Sequence, residues 1–384
     1  MNKKLTLKES FDLNYPVDSG FKKTQINFYS EKPNLESLYF QKDENGELLS
    51  NQQRLFVTDT NVAKLDFMQD FINSEEFKNQ EKNAKNVLLI LPAGEAYKNI
   101  ETELKIIRCA LDHNFNRNCL FIGIGGGVIT DMTSFAASIF KRGVDVEFVP
   151  TTLLADVDAA LGGKTGCDFE NYKNMIGSFY PAKTLNVWSD FIQTLPENEF
   201  ISGLAEAIKT AFLFSQDSCD LILKEKDKIL KRNPQVLEKI ILDCSRAKAK
   251  IVQEDFREKG NRAFLNLGHT FGHALEAVAG LGKITHGQAV AWGMGRAFDL
   301  AYSLGKANKT YVDECKKILS NFGYDTNPQA QVLKNVSESS KKLLSAMKKD
   351  KKNYSSAIRV ILMTSPQKPL ITEVKDEDIL RVLC

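Results

Sequence analysis

Gly123-Ile124-Gly125-Gly126-Gly127-Val128-Ile129-Thr130-Asp131 forms a glycine-rich turn that follows the apolar segment 119–122. The apolar segment predicts a strand that is buried on both faces, and the turn predicts the start of a helix. Backbone amides in such a turn can approach a phosphate group, and the helix N-terminus favours its negative charge. The spacing is not GxGxxG, because Val128 stands where the third glycine belongs. A tight turn without a ligand is therefore the alternative, since strand-to-helix turns need glycine in any case.

Further strand-like segments occur through the first half of the chain. They are residues 25–30, Arg54–Asp59, 87–91 and 146–149. Residues 100–114 instead repeat apolar side chains at helical spacing, namely Ile100, Leu104, Ile107 and Leu111. Strands that alternate with helices predict a parallel sheet covered on both faces.

The pattern changes after Leu195-Pro196, where strand-like segments nearly vanish and helical ones continue to residue 347. We therefore expect a domain boundary near Pro196. The predicted parts are an N-terminal extension (1–22) that is loosely held, an α/β domain (23–195) and a mainly α-helical domain (196–384). One late apolar segment, 358–362, is strand-like.

Composition excludes several classes of protein. The net charge of +2 on 384 residues argues against a dedicated nucleic-acid binder. The seven cysteines are odd in number and never in CxxC spacing, which argues against a disulfide framework and favours a reducing cytoplasm. Neither a signal peptide nor an apolar segment of membrane-spanning length is present, so we expect a soluble protein without a membrane partner.

Three of the four histidines lie close together in the sequence. His269 and His273 are four residues apart, so a helix presents both on one face, and His286 follows a glycine-containing break. Three such imidazoles, with Glu206 as the best candidate carboxylate, suit a zinc-like metal. The alternative is a helix with two hydrogen-bonded histidines and no metal. The HExxH motif of zinc proteases is absent, because Thr270 occupies its glutamate position.

Several cationic residues lie beside apolar or glycine-rich segments. They are Lys164, Lys173, Lys209, Lys248 and Arg262. For any one of them a solvated surface position is the simpler interpretation, but together they favour an anionic substrate next to a metal. We expect Lys164, Lys209 and Arg262 to act on substrate anions rather than on folding.

Taken in order, these segments resemble the 3-dehydroquinate synthase family of the sugar-phosphate cyclases. The resemblance extends from about residue 54 to residue 362. Its segments are 92–98, 125–131, 142–143, 150–166, 173–177, 203–209, 262–276 and 286–287. It implies a dehydroquinate synthase-like fold, with an α/β N-terminal Rossmann-like domain that binds NAD and a mainly α-helical C-terminal domain that binds zinc or cobalt. It also implies a homodimer.

The resemblance assigns roles to individual residues. The metal ligands would be Glu206, His269 and His286. The NAD contacts would be Asp59, Glu95, Lys98, Gly126, Gly127, Val128, Asp131, Thr151, Thr152, Lys164, Lys173, Phe191 and Thr194. The residues that hold or act on substrate would be Asp158, Lys164, Asn174, Lys209, Lys248, Arg262, Asn266 and His273, with Arg142 from the partner subunit and Lys351 closing over the site.

The implied activity converts 3-deoxy-D-arabino-heptulosonate 7-phosphate to 3-dehydroquinate and phosphate in the shikimate pathway. It proceeds by transient oxidation by NAD, phosphate elimination, re-reduction and aldol cyclisation. The alternatives are another cyclase (valiolone or inosose type), a metal-dependent alcohol dehydrogenase and a non-catalytic relative. The chain departs from the family pattern at Thr130 and Ser134, where glycines are usual, at Cys167-Asp168, where Val-Asn is common, and at Gln288, where glutamate is usual.

Overall fold

The computed structural model describes residues 5–30, 32–78, 82–170, 172–280, 282–350 and 358–383. The predicted site residue Lys351 lies outside these ranges. The chain divides into two compact units. The first comprises Met1–Leu195 with Lys248–Arg257, and the second Pro196–Ala247 with Glu258–Cys384.

The first unit is built on a seven-stranded sheet of mainly parallel strands. The sheet contains β1 (Leu7–Asn14), β2 (Lys23–Tyr29), β3 (Arg54–Asp59), β4 (Asn86–Leu91), β5 (Leu120–Gly125), β6 (Asp145–Pro150) and β9 (Thr184–Val187). The strands β7 (Lys164–Phe169) and β8 (Tyr172–Phe179) form a separate hairpin. The order in the large sheet is β1-β2-β9-β6-β5-β3-β4, and only the β1–β2 pair is antiparallel among the described pairs. The helices are α1 (Leu35–Tyr39), α2 (Asp66–Ile72), α3 (Ile100–Asp112) and α4 (Gly127–Ile139). The predicted Rossmann-like α/β fold is confirmed.

Strand order reverses between β3 and β5. The chain passes from β3 outward to β4, returns to place β5 on the other side of β3, and continues away through β6. Ligands of open α/β sheets bind in the crevice outside the carboxyl ends of the strands at such a reversal. Asp59 ends β3 and the glycine turn follows β5, so both lie at this crevice.

Three features of the first unit differ from the sequence predictions. Residues 7–14, which were expected in a loosely held extension, form the edge strand β1. Only one of its side chains, Leu13, is fully buried, so a mostly polar sequence suffices for this strand. Lys164 and Lys173 lie on the antiparallel hairpin β7–β8, where no strand was predicted. The helix α3 forms as predicted, but Leu104 and Leu111 of its apolar stripe are exposed, while Glu103 is buried.

The second unit is mainly helical, as predicted. Its helices are α5 (Glu197–Phe214), α6 (Gln216–Lys224), α7 (Lys226–Leu230), α8 (Pro234–Glu254, which ends in the first unit), α9 (His269–Ala279), α10 (His286–Ser303), α11 (Lys309–Asn321), α12 (Ser339–Asp350) and α13 (Asp376–Val382). The late strand-like segment is β10 (Ile358–Ser365), which pairs with β11 (Lys368–Val374) as a hairpin. Among the described residues, no helix is long and apolar enough to cross a membrane.

Candidate active site

Three helices of the second unit bring one carboxylate and two imidazoles together. Glu206 lies in the middle of α5 and is fully buried, whereas His269 and His286 are the first residues of α9 and α10. The Nε2 atom of His269 lies 3.8 Å from Oε1 of Glu206, and the Nε2 atom of His286 lies 3.6 Å from the same oxygen. One ligand atom from each residue lies within 4.8 Å of the other two.

Glycines allow the three helices to approach this closely. Gly268 precedes α9 with a φ of +81°, a conformation that L side chains rarely adopt, and a Cβ there would lie 2.6 Å from the carbonyl oxygen of Val290 on α10. At the start of α10, a Cβ on Gly287 would lie 2.0 Å from the carbonyl oxygen of Ser202 on α5. These contacts bring α9 close to α10 and α10 close to α5, so that His269 and His286 both reach the same carboxylate oxygen of Glu206.

The donor set fits a divalent metal. Neither carboxylate oxygen of Glu206 has a hydrogen-bond partner among the described residues, although Lys209 forms an ion pair with it. A buried carboxylate without hydrogen bonds is costly unless it is paired or binds a metal. Zinc ligands lie about 2.0–2.2 Å from the ion, so neighbouring ligand atoms of a tetrahedral site lie roughly 3.4 Å apart. The observed separations of 3.6 and 3.8 Å are close to that spacing.

His273 lies on α9 with His269, as the spacing predicts, and its ring centroid is 5.3 Å from that of His269. Unlike His269 it is exposed, and it is not among the three residues that converge on Glu206. Spacing alone does not distinguish the two histidines, whereas the packing of α5 and α9 against α10 does.

Buried cations lie in the same unit. Lys209 and Arg262 are each 1% exposed. Asn266, which ends the 3-10 helix Asn261–Asn266, donates hydrogen bonds from Nδ2 to a carboxylate oxygen of Glu258 and to the carbonyl oxygen of Ala263. Lys209 and Arg262 are buried, and burying a charge is costly unless it is paired. We therefore expect each side chain to contribute to stability in addition to its predicted role toward substrate anions.

The glycine turn of the first unit is tightly packed. A Cβ on Gly126 would lie 2.9 Å from Cγ2 of Thr152, and one on Gly127 would lie 3.1 Å from Cβ of Ala159. The N–H of Thr151 donates to the carbonyl oxygen of Gly125, 3.0 Å away, so the loops after β5 and β6 lie side by side. These loops are at the carboxyl ends of neighbouring parallel strands, where a phosphate could meet the N-terminus of α4.

A second cluster of polar residues lies in the same unit. Nζ of Lys98, a 5% exposed side chain, lies 2.6 Å from Oδ2 of Asp131 and donates to Oδ1 of Asn174, also at 2.6 Å. Burial alone lowers the pKa of Lys98, but the nearby carboxylates of Asp131 and Glu95 outweigh it, so the net pKa is raised and the ammonium stays charged. Nζ of Lys173 lies 3.9 Å from Glu95.

The structure places the other predicted residues of the first unit as follows. Lys248 forms an ion pair with Asp158, which lies in the π-helix Ala155–Ala159. Oδ1 of Asp59 accepts hydrogen bonds from the N–H groups of Asn61 and Val62, so this carboxylate also caps a turn. The remaining residues are Phe191 (buried), Val128 (half-buried), and Thr194, Lys164 and Arg142 (exposed).

Sequence reasoning missed Glu103. Its side chain is fully buried, and neither carboxylate oxygen has a hydrogen-bond partner among the described residues. Burial, reinforced by the charge of Asp131 and opposed by that of Lys98, raises the pKa of Glu103 to about 9. The apolar spacing of α3 pointed to the opposite face, so no signal in the sequence identified this glutamate.

The departures at Thr130, Ser134 and Gln288 each have a local structural role. The hydroxyl of Thr130 donates to the carbonyl oxygen of Gly127 at 3.1 Å, and that of Ser134 donates to the carbonyl oxygen of Tyr180 at 2.6 Å. Gln288 forms a capping box with Thr285 at the start of α10. Glutamine and glutamate serve equally in a capping box, so this departure preserves the helix end that carries His286.

Solved structures share this fold. A 2-deoxy-scyllo-inosose synthase, solved with carbaglucose-6-phosphate, NAD+ and Co2+, has a TM-score of 0.79 at 22% identity and covers 98% of this chain and 99% of its own. A 2-epi-5-epi-valiolone synthase from Streptomyces hygroscopicus subsp. jinggangensis, solved with NAD+ and Zn2+, has a TM-score of 0.76 at 21% identity and covers 87% of this chain and 90% of its own. This chain therefore shares the fold of these two synthases.

Family models identify the family of this chain. The models described as 3-dehydroquinate synthase N-terminal and 3-dehydroquinate synthase C-terminal match residues 88–202 and 203–353. The chain belongs to the 3-dehydroquinate synthase family. The chloroplastic 3-dehydroquinate synthase of Arabidopsis thaliana is 38% identical over 81% of this chain and 69% of its own length. The 3-dehydroquinate synthase of Acidithiobacillus ferrooxidans is 38% identical over 82% of this chain and 84% of its own.

Proposed function

We propose that this protein is a 3-dehydroquinate synthase, which converts 3-deoxy-D-arabino-heptulosonate 7-phosphate to 3-dehydroquinate and phosphate. Membership of the family and 38% identity to named 3-dehydroquinate synthases support the activity. The structural observation that carries it is the convergence of His269 and His286 on the buried Glu206, in the same unit as the buried cations Lys209 and Arg262.

Glu206, His269 and His286 would hold one zinc or cobalt ion. A metal there supplies a Lewis acid that makes a bound substrate hydroxyl more acidic. Lys209 pairs with the carboxylate oxygen Oε2 of Glu206, while the two imidazoles face Oε1. Lys209 therefore offsets the charge of Glu206 on one side and leaves the other oxygen for the metal. The Co2+ and Zn2+ of the two cyclase structures agree with this choice of ion.

The substrate carries a phosphate and a carboxylate, and the chain's cations would bind them. Arg262 presents a planar guanidinium, which suits bidentate binding of either anion. Exposed Lys164 can follow a phosphate as it leaves, because its ammonium is a mobile point charge. His273 is exposed within reach of the predicted metal ligands, so it can hold or move a proton at the substrate.

NAD would bind at the crevice between β3 and β5. The glycine turn offers backbone amides and the N-terminus of α4 to its phosphates. Lys98, held charged by Asp131, and Asn174 lie together in this unit and can orient polar groups of the cofactor or substrate. Bound there, NAD would supply reversible hydride acceptance, so that the overall reaction has no net redox change.

We also propose a homodimer in the cytoplasm. The six described cysteines are free, in agreement with a reducing compartment. Arg142 is exposed and would reach the phosphate in the partner's site. Light scattering checks the dimer, and mixing an inactive Arg142→Ala chain with an inactive His269→Ala chain should restore activity if the arginine acts across the interface.

The activity is tested by release of phosphate from 3-deoxy-D-arabino-heptulosonate 7-phosphate, with the product identified by NMR. NAD should be required only in catalytic amount, and a substrate deuterated at C5 should give a product that keeps the label. Steady accumulation of NADH would identify a dehydrogenase instead. Turnover of a different sugar phosphate, with none of this one, would identify another cyclase.

Metal dependence is tested separately. A chelator should abolish activity, and zinc or cobalt should restore it. His269→Ala should reduce bound metal well below one ion per chain, because one of three ligands is lost. His113→Ala is the matched control, since His113 is the one histidine outside the candidate site. Full metal content in His269→Ala would overturn the ligand assignment.

A further inference from the structure

The ring of His286 lies between two carboxylates. Its Nε2 atom is 3.6 Å from Oε1 of Glu206 on α5, and its Nδ1 atom is 3.3 Å from Oε2 of Glu276 on α9. Glu276 is largely buried, with 13% of its side chain exposed. Neither the sequence nor the resemblance assigns a role to Glu276.

Two groups of candidate ligands share this ring. One is Glu206, His269 and His286, and the other is His273, Glu276 and His286. A neutral imidazole has one nitrogen that carries hydrogen and one that has a lone pair, so His286 can serve as a neutral ligand in only one group at a time. Its tautomer therefore decides which group binds the metal.

We propose that Glu276 is a positioning residue that selects the metal site. A carboxylate only accepts hydrogen bonds, so Glu276 accepts the N–H of Nδ1 and holds the tautomer whose Nε2 lone pair faces Glu206. The same hydrogen bond occupies the nitrogen nearest the alternative group. The inference rests on the proposed metal site.

His269 shows the same arrangement. Its Nδ1 atom lies 3.3 Å from the carbonyl oxygen of Leu267, while its Nε2 atom faces Glu206. A carbonyl oxygen also only accepts, so both candidate ligands hold hydrogen on Nδ1 and present Nε2. Oxygen acceptors behind metal-binding imidazoles fix the ring orientation and raise its basicity. His269 has a backbone acceptor in that place, and His286 has Glu276.

The test uses metal-free full-length protein. Zinc affinity is measured by competition with a chromophoric chelator, and Co2+ binding is followed by its visible absorption. We expect one ion per chain, bound about 10–100-fold more weakly in Glu276→Ala, as is typical when such a second carboxylate is removed. Glu276→Gln should recover part of the affinity, because its amide oxygen still accepts from Nδ1, and it also serves where the alanine variant fails to fold. Glu377→Gln, at an exposed position of α13, should bind like the wild type.

Three results would overturn the inference. Unchanged metal affinity and cobalt spectrum in both Glu276 variants would show that the carboxylate does not position His286. If the wild type binds two ions per chain, and Glu276→Ala and His273→Ala each bind only one, then Glu276 is itself a metal ligand. If the wild type binds no metal, both the proposed metal site and this inference are wrong. If the wild type binds metal but the Glu276 variants bind it equally well, only the role of Glu276 is wrong.

Discussion

Gly287 lies so close to Ser202 that a Cβ on the glycine would be 2.0 Å from the serine carbonyl oxygen. The N–H of Gly287 also donates to the hydroxyl of Ser202 at 3.0 Å. Ser202 is one helical turn before Glu206 on α5, and Gly287 directly follows His286. This contact between two helix backbones therefore sets the distance between the carboxylate and the imidazole of the candidate metal site.

Gly287→Ala should damage this site. The methyl group cannot fit against backbone atoms, so α10 must move away from α5 and carry His286 away from Glu206. We expect a loss of about 1–3 kcal/mol in the free energy of unfolding, together with weaker metal binding. Gly295→Ala is the matched control on the same helix, because its Cβ would meet Thr326 at an ordinary 3.7 Å. It should stabilise the protein by about 0.5–1 kcal/mol. Wild-type metal affinity in Gly287→Ala, measured by chelator competition, would contradict this account.

The sequence predicts much of this site and leaves one part open. The spacing of His269 and His273 predicts a helix with both rings on one face, and α9 is that helix. It does not predict which imidazoles face Glu206, because that depends on the packing of α5 and α9 against α10. The glycines that permit this packing are visible in the sequence, but their contacts lie across the fold rather than along the chain.

Burial separates two lysines that the sequence treats alike. Lys209 is 1% exposed and paired with Glu206, whereas Lys164 is exposed on β7. Lys164→Ala should weaken substrate binding by about 1.5–3 kcal/mol with little change in melting temperature. Lys209→Ala should reduce activity and also lower stability by about 3–5 kcal/mol, because it leaves a buried carboxylate without its cation. Steady-state kinetics and thermal denaturation of both variants check this. Equal melting temperatures would contradict the assigned role of burial.

The Lys98–Asp131 pair should couple strongly. The ammonium is 5% exposed, so removal of either partner leaves a charge in a poorly solvated place. Lys98→Ala should cost about 3 kcal/mol of stability, and the double variant with Asp131→Asn should lose less than the sum of the single losses. Urea denaturation followed by Trp188 fluorescence, in a Trp292→Phe background, reports on the first unit.

Lys23 and Asp12 provide the control for this cycle. Their ion pair is 2.7 Å long and lies in the same unit, but the two side chains are 50% and 39% exposed. Lys23→Ala should cost less than about 1 kcal/mol. A similar coupling energy for both pairs would show that burial does not strengthen the Lys98–Asp131 interaction.

The fold was predictable where strands are uniformly apolar. The strands β3 to β6 could be predicted from the sequence, because a strand covered on both faces is a continuous apolar segment. β1 and the β7–β8 hairpin were missed because they are polar or mixed in composition. On α3 the apolar stripe at Leu104 and Leu111 is exposed, so hydrophobic periodicity located the helix but assigned the wrong buried face.

Because α3 buries the face opposite to its apolar stripe, Glu103 is buried, and its ionisation affects the free energy of unfolding. Its pKa is raised to about 9 in the folded protein by burial, whereas an unfolded chain ionises it near 4.5. Below pH 4.5 both states hold the proton, and Glu103 has no effect on pH dependence. Between these pH values the unfolded state loses the proton while the folded state keeps it. The free energy of unfolding therefore falls as pH rises, by up to about 1.4 kcal/mol per pH unit, and levels off near pH 9.

Glu103→Gln should remove this contribution, because glutamine keeps the shape of the protonated side chain and does not ionise. The variant should match the wild type near pH 4.5 and be increasingly more stable than the wild type from pH 5 to pH 8. Urea denaturation at each pH, followed by Trp188 fluorescence, measures the difference. Glu101→Gln is the matched control, since Glu101 is exposed on the same helix and should leave the wild-type slope unchanged. Ionisable groups that do not interact with Glu103 contribute equally to all three proteins, so the difference between the slopes reports on Glu103 together with its neighbours Lys98 and Asp131. Parallel curves for Glu103→Gln and the wild type would show that this carboxyl ionises in the folded protein at its ordinary pKa.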